Sequence, residues 1–153
     1  AKRQAVKRAG LKHDHVHYIE VDFADSSWIE ALVSSPFDPA KRSVFLWEGV
    51  TLYLSEANVR ATLAAIKAYA SPGSGILADF YAHRMLDLAR KGAIAKTLEA
   101  TGETMDFGFD FGAGAESVLA DFVTAQGFQL GPHYFLGSAH KKGAYMVVAA
   151  LTL

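Results

Sequence analysis

The sequence feature that most constrains the fold is the run of residues 43–54, SVFLWEGVTLYL. It opens on an apolar stretch, reaches the carboxylate of Glu48 where that stretch stops, and continues at once with Gly49. A β-branched and aromatic run of this kind predicts a buried strand of an α/β sheet. Open α/β sheets bind ligands at the carboxyl ends of their strands, so the run predicts a ligand site that includes Glu48.

Two further segments end on an acid in the same way. Residues 16–23 alternate between two faces, as a strand does, and lead to Asp22. Residues 75–81 are an apolar run that leads to Asp79. Because parallel strands end at one edge of a sheet, these two acids and Glu48 are expected to stand in a row.

Helical segments separate the strands. Apolar residues recur at helical spacing after Ser55, a residue type that favours the N-cap of a helix. The chain closes on two strands with a short linker, which predicts an antiparallel hairpin. The predicted helices cover residues 1–10, 28–33, 56–70, 83–101 and 115–126, and the closing strands cover residues 128–136 and 144–153. This alternation predicts an α/β fold with parallel strands and right-handed crossovers.

Composition excludes several classes of protein. The 153 residues suffice for one domain, and 51% of them are apolar, which argues against disorder. The net charge of -1 gives no reason to expect nucleic acid or an anionic membrane as a partner. No stretch approaches the ~20 apolar residues of a membrane span. The absence of cysteine excludes disulfides and suits a reducing cytoplasm, where we expect the protein to work.

Several motifs together resemble one family. The specific one is WEGVT-x-YL within residues 47–54, and it is joined by V-D-F at 21–23, S-P-G-S at 71–74 and a late G-F before the closing hairpin. With these motifs the sequence resembles the leucine carboxyl methyltransferase-like family, whose members are S-adenosylmethionine-dependent O-methyltransferases. The resemblance covers nearly the whole chain, but only about the carboxyl-terminal half of the family's length.

The resemblance implies a fold and a cofactor. The fold is the class I methyltransferase (Rossmann-like) sheet, with helices on both faces and a C-terminal antiparallel hairpin. The cofactor is S-adenosyl-L-methionine. By the resemblance, Asp22 and Phe23 meet its adenine, while Glu48 and Gly49 lie beside its methionine part. The alternatives are that Asp22 caps the helix after it and that Glu48 faces solvent.

The resemblance leaves other roles open. Thr51, Tyr53, Asp79 and Tyr81 are candidates for the substrate side of the site, with a structural role as the alternative. We expect no catalytic base, because a carboxylate acceptor is already ionised at neutral pH.

Three alternating histidines raise a separate hypothesis. His13, His15 and His17 would share one face of an extended segment and could bind a metal. Solvated or helix-capping histidines are the favoured interpretation, so no metal site is predicted.

The sequence departs from the family in one respect. The family's glycine-rich loop of G-x-G type and its first two strands have no counterpart here. Residues 102–114 are rich in glycine but follow three predicted strands, and we interpret them as a lid-like loop. The expected structure is therefore a single partial domain over residues 1–153, with sheet edges through which copies of the chain could pair.

Two functions follow from this pattern. The first is an O-methyltransferase acting on a small-molecule or peptide carboxylate, or on a hydroxyl, and present here as a fragment that is inactive alone. The second is a non-catalytic α/β interaction module that self-associates.

Overall fold

A computed structural model describes residues 2–23, 28–92, 94–112, 114–137 and 143–153. The chain divides into two compact units, Ala1–Asp38 and Pro39–Leu153. The sequence predicts a single partial domain. In the structure, the first quarter of the chain makes most of its contacts within itself and so forms a unit of its own.

The first unit contains two short helices, α1 (Lys2–Arg8) and α2 (Trp28–Val33), which confirm the helices predicted there. The strand predicted over residues 16–23 is wrong, because the structure assigns no strand to this stretch. Arg3 of α1 instead donates a hydrogen bond to the carbonyl of Tyr18 at 3.4 Å and lies 5.3 Å from the centre of its ring. A strand requires a neighbour for its backbone N–H and C=O groups, and alternating side chains alone do not supply one.

The second unit is built on a four-stranded sheet. The strands are β1 (Val44–Trp47), β2 (Gly75–Tyr81), β3 (Gln129–Leu136) and β4 (Met146–Thr152). Their order in the sheet is β1-β2-β4-β3, with β1 parallel to β2 and both other pairs antiparallel.

The antiparallel pair of β3 and β4 confirms the predicted closing hairpin. Leu136 pairs with Met146 at the end of the hairpin where its linker joins the strands. Most of the predicted linker 137–143, namely residues 138–142, lies outside the described residues. β4 is inserted between β2 and β3, so the last strand of the chain becomes a central strand of the sheet.

Helices connect these strands. Ser55 caps the longest helix by accepting a hydrogen bond from the backbone N–H of Asn58 at 3.2 Å, as the sequence predicts. The helix predicted over residues 83–101 is split into two after Lys91, where Gly92 takes an extended conformation. The second unit contains a 3₁₀ turn (Thr51–Tyr53), α3 (Glu56–Tyr69), α4 (His83–Lys91), α5 (Ala95–Thr101) and α6 (Ala115–Ala125). None of the helices within the described ranges is long and apolar enough to cross a membrane.

One face of the sheet forms the core. The register places Phe80 of β2 opposite Val147 of β4, and neither side chain is exposed to solvent. The ring of Phe80 meets the ring of Phe122 from α6 at 6.2 Å between centres. Leu119 and Val123 of the same helix are also fully buried. This helix therefore supplies an apolar layer on that face.

The segment predicted as a lid belongs to this core. Phe107, Phe109 and Phe111 are between 2% and 8% exposed, and the ring of Phe109 packs against those of Phe80 and Phe122. Its backbone N–H donates to the carbonyl of Tyr81 at 2.8 Å, which extends the sheet by a short parallel bridge. The alternating aromatic residues fill the protein interior, and a lid-like role for residues 102–114 stays a prediction.

The other face of the sheet is largely exposed. Leu46 of β1 and Leu77 of β2 lie side by side and are 66% and 40% exposed. Tyr134 of β3 lies on the same face and is 72% exposed. These side chains form an apolar surface that is open to solvent in the described part of the second unit.

A buried and an exposed aromatic residue can be compared in a test of stability. Phe109→Ala should lower the free energy of unfolding by about 3–5 kcal/mol, because it removes a ring that packs against four neighbouring rings. Tyr134→Ala is the matched control on the exposed face and should cost less than about 1 kcal/mol. Urea unfolding followed by circular dichroism measures both. Equal stability of Phe109→Ala and the unmodified chain would contradict the place of this ring in the core.

Candidate functional site

β1 ends beside the middle of β2, which continues to Tyr81. Trp47, the last residue of β1, pairs with Ala78 in parallel register, so Glu48 and Asp79 follow at the same place. Glu48 is exposed, whereas Asp79 is only 6% exposed. The structure thus brings together two of the three acids that the sequence places in a row.

The chain turns at Gly49, where φ is 67°. No atom lies within 4 Å of the position that a side-chain Cβ would take. Glycine is favoured here because the backbone is left-handed, and not because a larger side chain would lack space. Its N–H donates to both carboxylate oxygens of Asp79, at 2.9 Å to Oδ2 and 3.1 Å to Oδ1. A charge-assisted hydrogen bond from β2 thus fixes the turn that follows Glu48.

Tyr81 completes this cluster. Its hydroxyl donates to Oδ2 of Asp79 at 2.9 Å. Burial raises the pKa of Tyr81 well above its ordinary value, and the hydrogen bond to Asp79 with the charges of Asp79, Tyr53 and Glu48 raises it further. Hydrogen bonds thus join three of the predicted site residues, Gly49, Asp79 and Tyr81, into one cluster.

Thr51 has a structural position. Its side chain is fully buried, and its hydroxyl donates to the backbone carbonyl of Asp79 at 2.7 Å. The bond holds the 3₁₀ turn against β2. Of the four residues predicted for the substrate side, Tyr53 is the most open to solvent, at 38% exposure.

The residues predicted to meet the adenine lie in the other unit of the chain. Asp22 is exposed, and Phe23 is 36% exposed with its ring 5.6 Å from that of Trp28. Glu48 and Gly49 belong to the second unit.

The three alternating histidines lie in the first unit. The ring of His13 meets that of Tyr18 edge-on at 5.9 Å. Over the described residues there is no group of three His, Cys, Asp or Glu side chains that could hold a metal.

Sequence analysis missed a cavity at the start of α4. It has a volume of about 300 Å³, and its wall includes His83, Arg84 and Asp110. A side chain at Gly108 would come within 3.1 Å of the backbone and ring of His83, so glycine permits this close approach. The available signal was the position of His83, two residues after the strand that ends on Tyr81.

The ionisation of Tyr81 can be measured. Because its pKa is raised, Tyr81 stays protonated in the folded chain at pH 10, whereas in the unfolded chain it titrates near 10. Its contribution to stability is therefore present below about pH 10 and is lost as the pH rises further. Tyr81→Phe should leave the tyrosinate absorbance of the folded chain at pH 10 unchanged. Unfolded in urea at the same pH, the variant should show less tyrosinate absorbance than the unmodified chain, by the contribution of one of the six tyrosines. An equal loss in the folded chain would contradict the buried hydrogen bond.

Comparison with known proteins identifies the sequence relatives. Residues 1–67 match the family model described as leucine carboxyl methyltransferase. A protein of Mycolicibacterium smegmatis, named as an S-adenosyl-L-methionine-dependent methyltransferase, is 28% identical over 112 residues. This match covers 73% of the chain but only 37% of that relative, so the chain corresponds to little more than a third of its length.

Solved structures show the fold. An O-methyltransferase family protein from Burkholderia thailandensis matches 99% of this chain with a TM-score of 0.55 and 14% identity, over 40% of its own chain. A DUF574 family protein from Streptomyces avermitilis matches 88% with a TM-score of 0.58 and 10% identity, over 54% of its chain. The N-methyltransferase NodS from Bradyrhizobium japonicum, solved with S-adenosyl-L-homocysteine, matches 99% with a TM-score of 0.51 and 14% identity, over 60% of its chain.

These matches and the strand order agree with each other. The parallel pair β1-β2 and the closing antiparallel hairpin are as the sequence predicts, and the insertion of β4 beside β2 is added by the structure. The chain therefore has the class I methyltransferase fold, and its resemblance to the leucine carboxyl methyltransferase family is confirmed over residues 1–67.

Proposed function

We propose that this chain is part of an S-adenosyl-L-methionine-dependent O-methyltransferase. The observation that carries the proposal is Glu48, an exposed carboxylate at the ligand-binding edge of the sheet and within the stretch that matches the family. The motif around it, WEGVT, is the most specific part of the resemblance.

The charge of this edge suits the cofactor. S-adenosyl-L-methionine carries a sulfonium and an α-ammonium group, both of them cationic. Among the described residues Glu48 makes no hydrogen bond or ion pair, so its oxygens are available to the ammonium group. Asp79 next to it adds negative charge, and no ion pair within the described ranges neutralises it. We assign the methionine end of the cofactor to Glu48 and Gly49.

The adenine end is assigned to Asp22 and Phe23. A carboxylate accepts a hydrogen bond from the exocyclic amine of adenine, and an aromatic ring stacks on the base. Both side chains are open to solvent in their unit. The helix-capping alternative for Asp22 involves residues 24–27, which lie outside the described residues.

The chemistry requires orientation more than proton transfer. When bound, the cofactor supplies an electrophilic methyl group, and the protein holds an acceptor oxygen in line with the bond that breaks. Such alignment can supply ~7–11 kcal/mol of the barrier. A carboxylate acceptor, on a small molecule or a peptide, needs no base; a hydroxyl acceptor is the other possibility. We place the reaction in the cytoplasm, which the lack of cysteine suits.

We further propose that this chain forms only part of the pocket. No strand of the second unit is followed in the sequence by a glycine-rich loop of G-x-G type. In α/β folds that bind such cofactors, a loop of this kind permits close approach of the backbone to the ligand. Without it the chain should bind the cofactor weakly and should be inactive by itself.

Binding can be tested on the 153-residue chain. Titration with S-adenosyl-L-methionine, followed by nuclear magnetic resonance, should show weak binding that shifts the amide signals of Glu48 and Gly49. Glu48→Gln should weaken this binding about tenfold, because it removes a charge-assisted hydrogen bond. Asp22→Ala should also weaken it.

Glu99→Gln serves as the matched control, because Glu99 is an exposed carboxylate on α5. It should leave the affinity unchanged. Tight binding by the unmodified chain would contradict the partial pocket, and an unchanged affinity of both Glu48→Gln and Asp22→Ala would contradict the site assignment.

A second candidate function is a non-catalytic module that self-associates. The exposed apolar face of the sheet favours it, since Val44 and Leu46 of the edge strand β1 are 80% and 66% exposed. Contiguous exposed apolar side chains are typical of interaction surfaces. A second copy of the chain could cover this face.

Self-association can be measured by analytical ultracentrifugation. If copies pair through the exposed face, Leu46→Lys should shift the chain towards monomer, because the charge would be buried in the interface. Leu88→Lys is the control, since Leu88 lies on α4 and is equally exposed at 65%. A chain that remains monomeric at every concentration would contradict this second function.

A further inference from the structure

Asp79 is a buried carboxylate whose oxygens both face its own chain. Oδ1 accepts from the N–H of Gly49, and Oδ2 accepts from the same N–H and from the hydroxyl of Tyr81. The side chain is 6% exposed. A residue that binds substrate needs an acceptor directed towards open space, and these contacts direct the carboxylate inward.

The backbone of Asp79 makes a second contact with the same segment. Its carbonyl accepts from the hydroxyl of Thr51 at 2.7 Å. Its side chain accepts from the N–H of Gly49, which lies two residues before Thr51. One residue of β2 therefore holds the chain at two points just beyond β1. On the other side of Glu48, the last residue of β1 is held by its pairing with Ala78.

Glu48 lies between these anchors. The residues before and after it are fixed by hydrogen bonds to β2, but its own carboxylate is exposed and has no described hydrogen-bond partner. Gly49 adopts a left-handed conformation, which is one of several open to glycine and which the bond to Asp79 selects. Fixing the backbone in this way reduces the number of directions in which Glu48 can point.

We propose that Asp79, assisted by Tyr81, is a positioning residue that fixes the Gly49 turn and thereby the direction of the Glu48 carboxylate. It does not contact the methyl acceptor. The effect on ligand binding rests on the proposed function, whereas the effect on the turn does not. Tyr81 contributes by holding the Asp79 carboxylate through its hydroxyl.

Hydrogen exchange tests the turn without any ligand. In the ¹⁵N-labelled 153-residue chain, Asp79→Ala should speed exchange of the Gly49 amide about tenfold, because its acceptor is gone. The Leu151 amide, in the central strand β4, should exchange as before and report that the fold is intact. Tyr81→Phe, which removes only the hydroxyl, should give a smaller increase. Asp121→Ala, an exposed carboxylate on α6, should give none. Unchanged exchange at Gly49 in both site variants would overturn the proposal.

A double-mutant cycle tests the link to Glu48. With S-adenosyl-L-methionine as the probe, Asp79→Ala should weaken binding in the unmodified chain but hardly further in Glu48→Gln. An equal loss in both backgrounds would mean that Asp79 contacts the ligand itself, and would overturn the positioning role. Absence of binding by every variant would count against the proposed function, and the exchange rates would still decide the role of Asp79 in the turn.

Discussion

The hydrogen bonds of the Asp79 carboxylate are the constraint on which the candidate site depends. A carboxylate that is removed from water must have its charge stabilised by donors, and here the donors are the N–H of Gly49 and the hydroxyl of Tyr81. The same bonds join the end of β1 to the end of β2 beyond their last pair. The burial of one acid thus fixes the place of its exposed neighbour, Glu48.

The two acids at this edge have different tasks because their surroundings differ. Asp79 is buried and its oxygens accept hydrogen bonds, so its charge stabilises the backbone N–H of Gly49. Glu48 is exposed and makes no hydrogen bond among the described residues, which suits the ligand contact proposed for it. In the sequence both are acids near the end of a strand. The structure distinguishes them, because the side chain of Asp79 is buried and that of Glu48 is exposed.

The aromatic segment shows how the core limits what a pattern can mean. Phe107, Phe109 and Phe111 alternate with glycine and aspartate, which is typical of a mobile loop as well as of a strand-like edge. In the folded chain Phe109 extends the sheet beside Ala82, and its ring joins those of Phe80 and Phe122. Burial of three rings outweighs the flexibility of the neighbouring glycines, because each ring removes a large apolar area from water.

The sequence by itself determined the α/β class, the closing hairpin, the capped helix after Ser55 and the acid at the end of β1. These are local properties, since they follow from periodicity, capping and turn chemistry over a few neighbouring residues. Only the tertiary structure decided that residues 16–23 are not a strand, that one sheet face stays exposed, and that Asp79 binds Gly49. Each of these depends on which distant segment lies alongside, and a strand pairing or a buried hydrogen bond joins residues that are far apart in the chain.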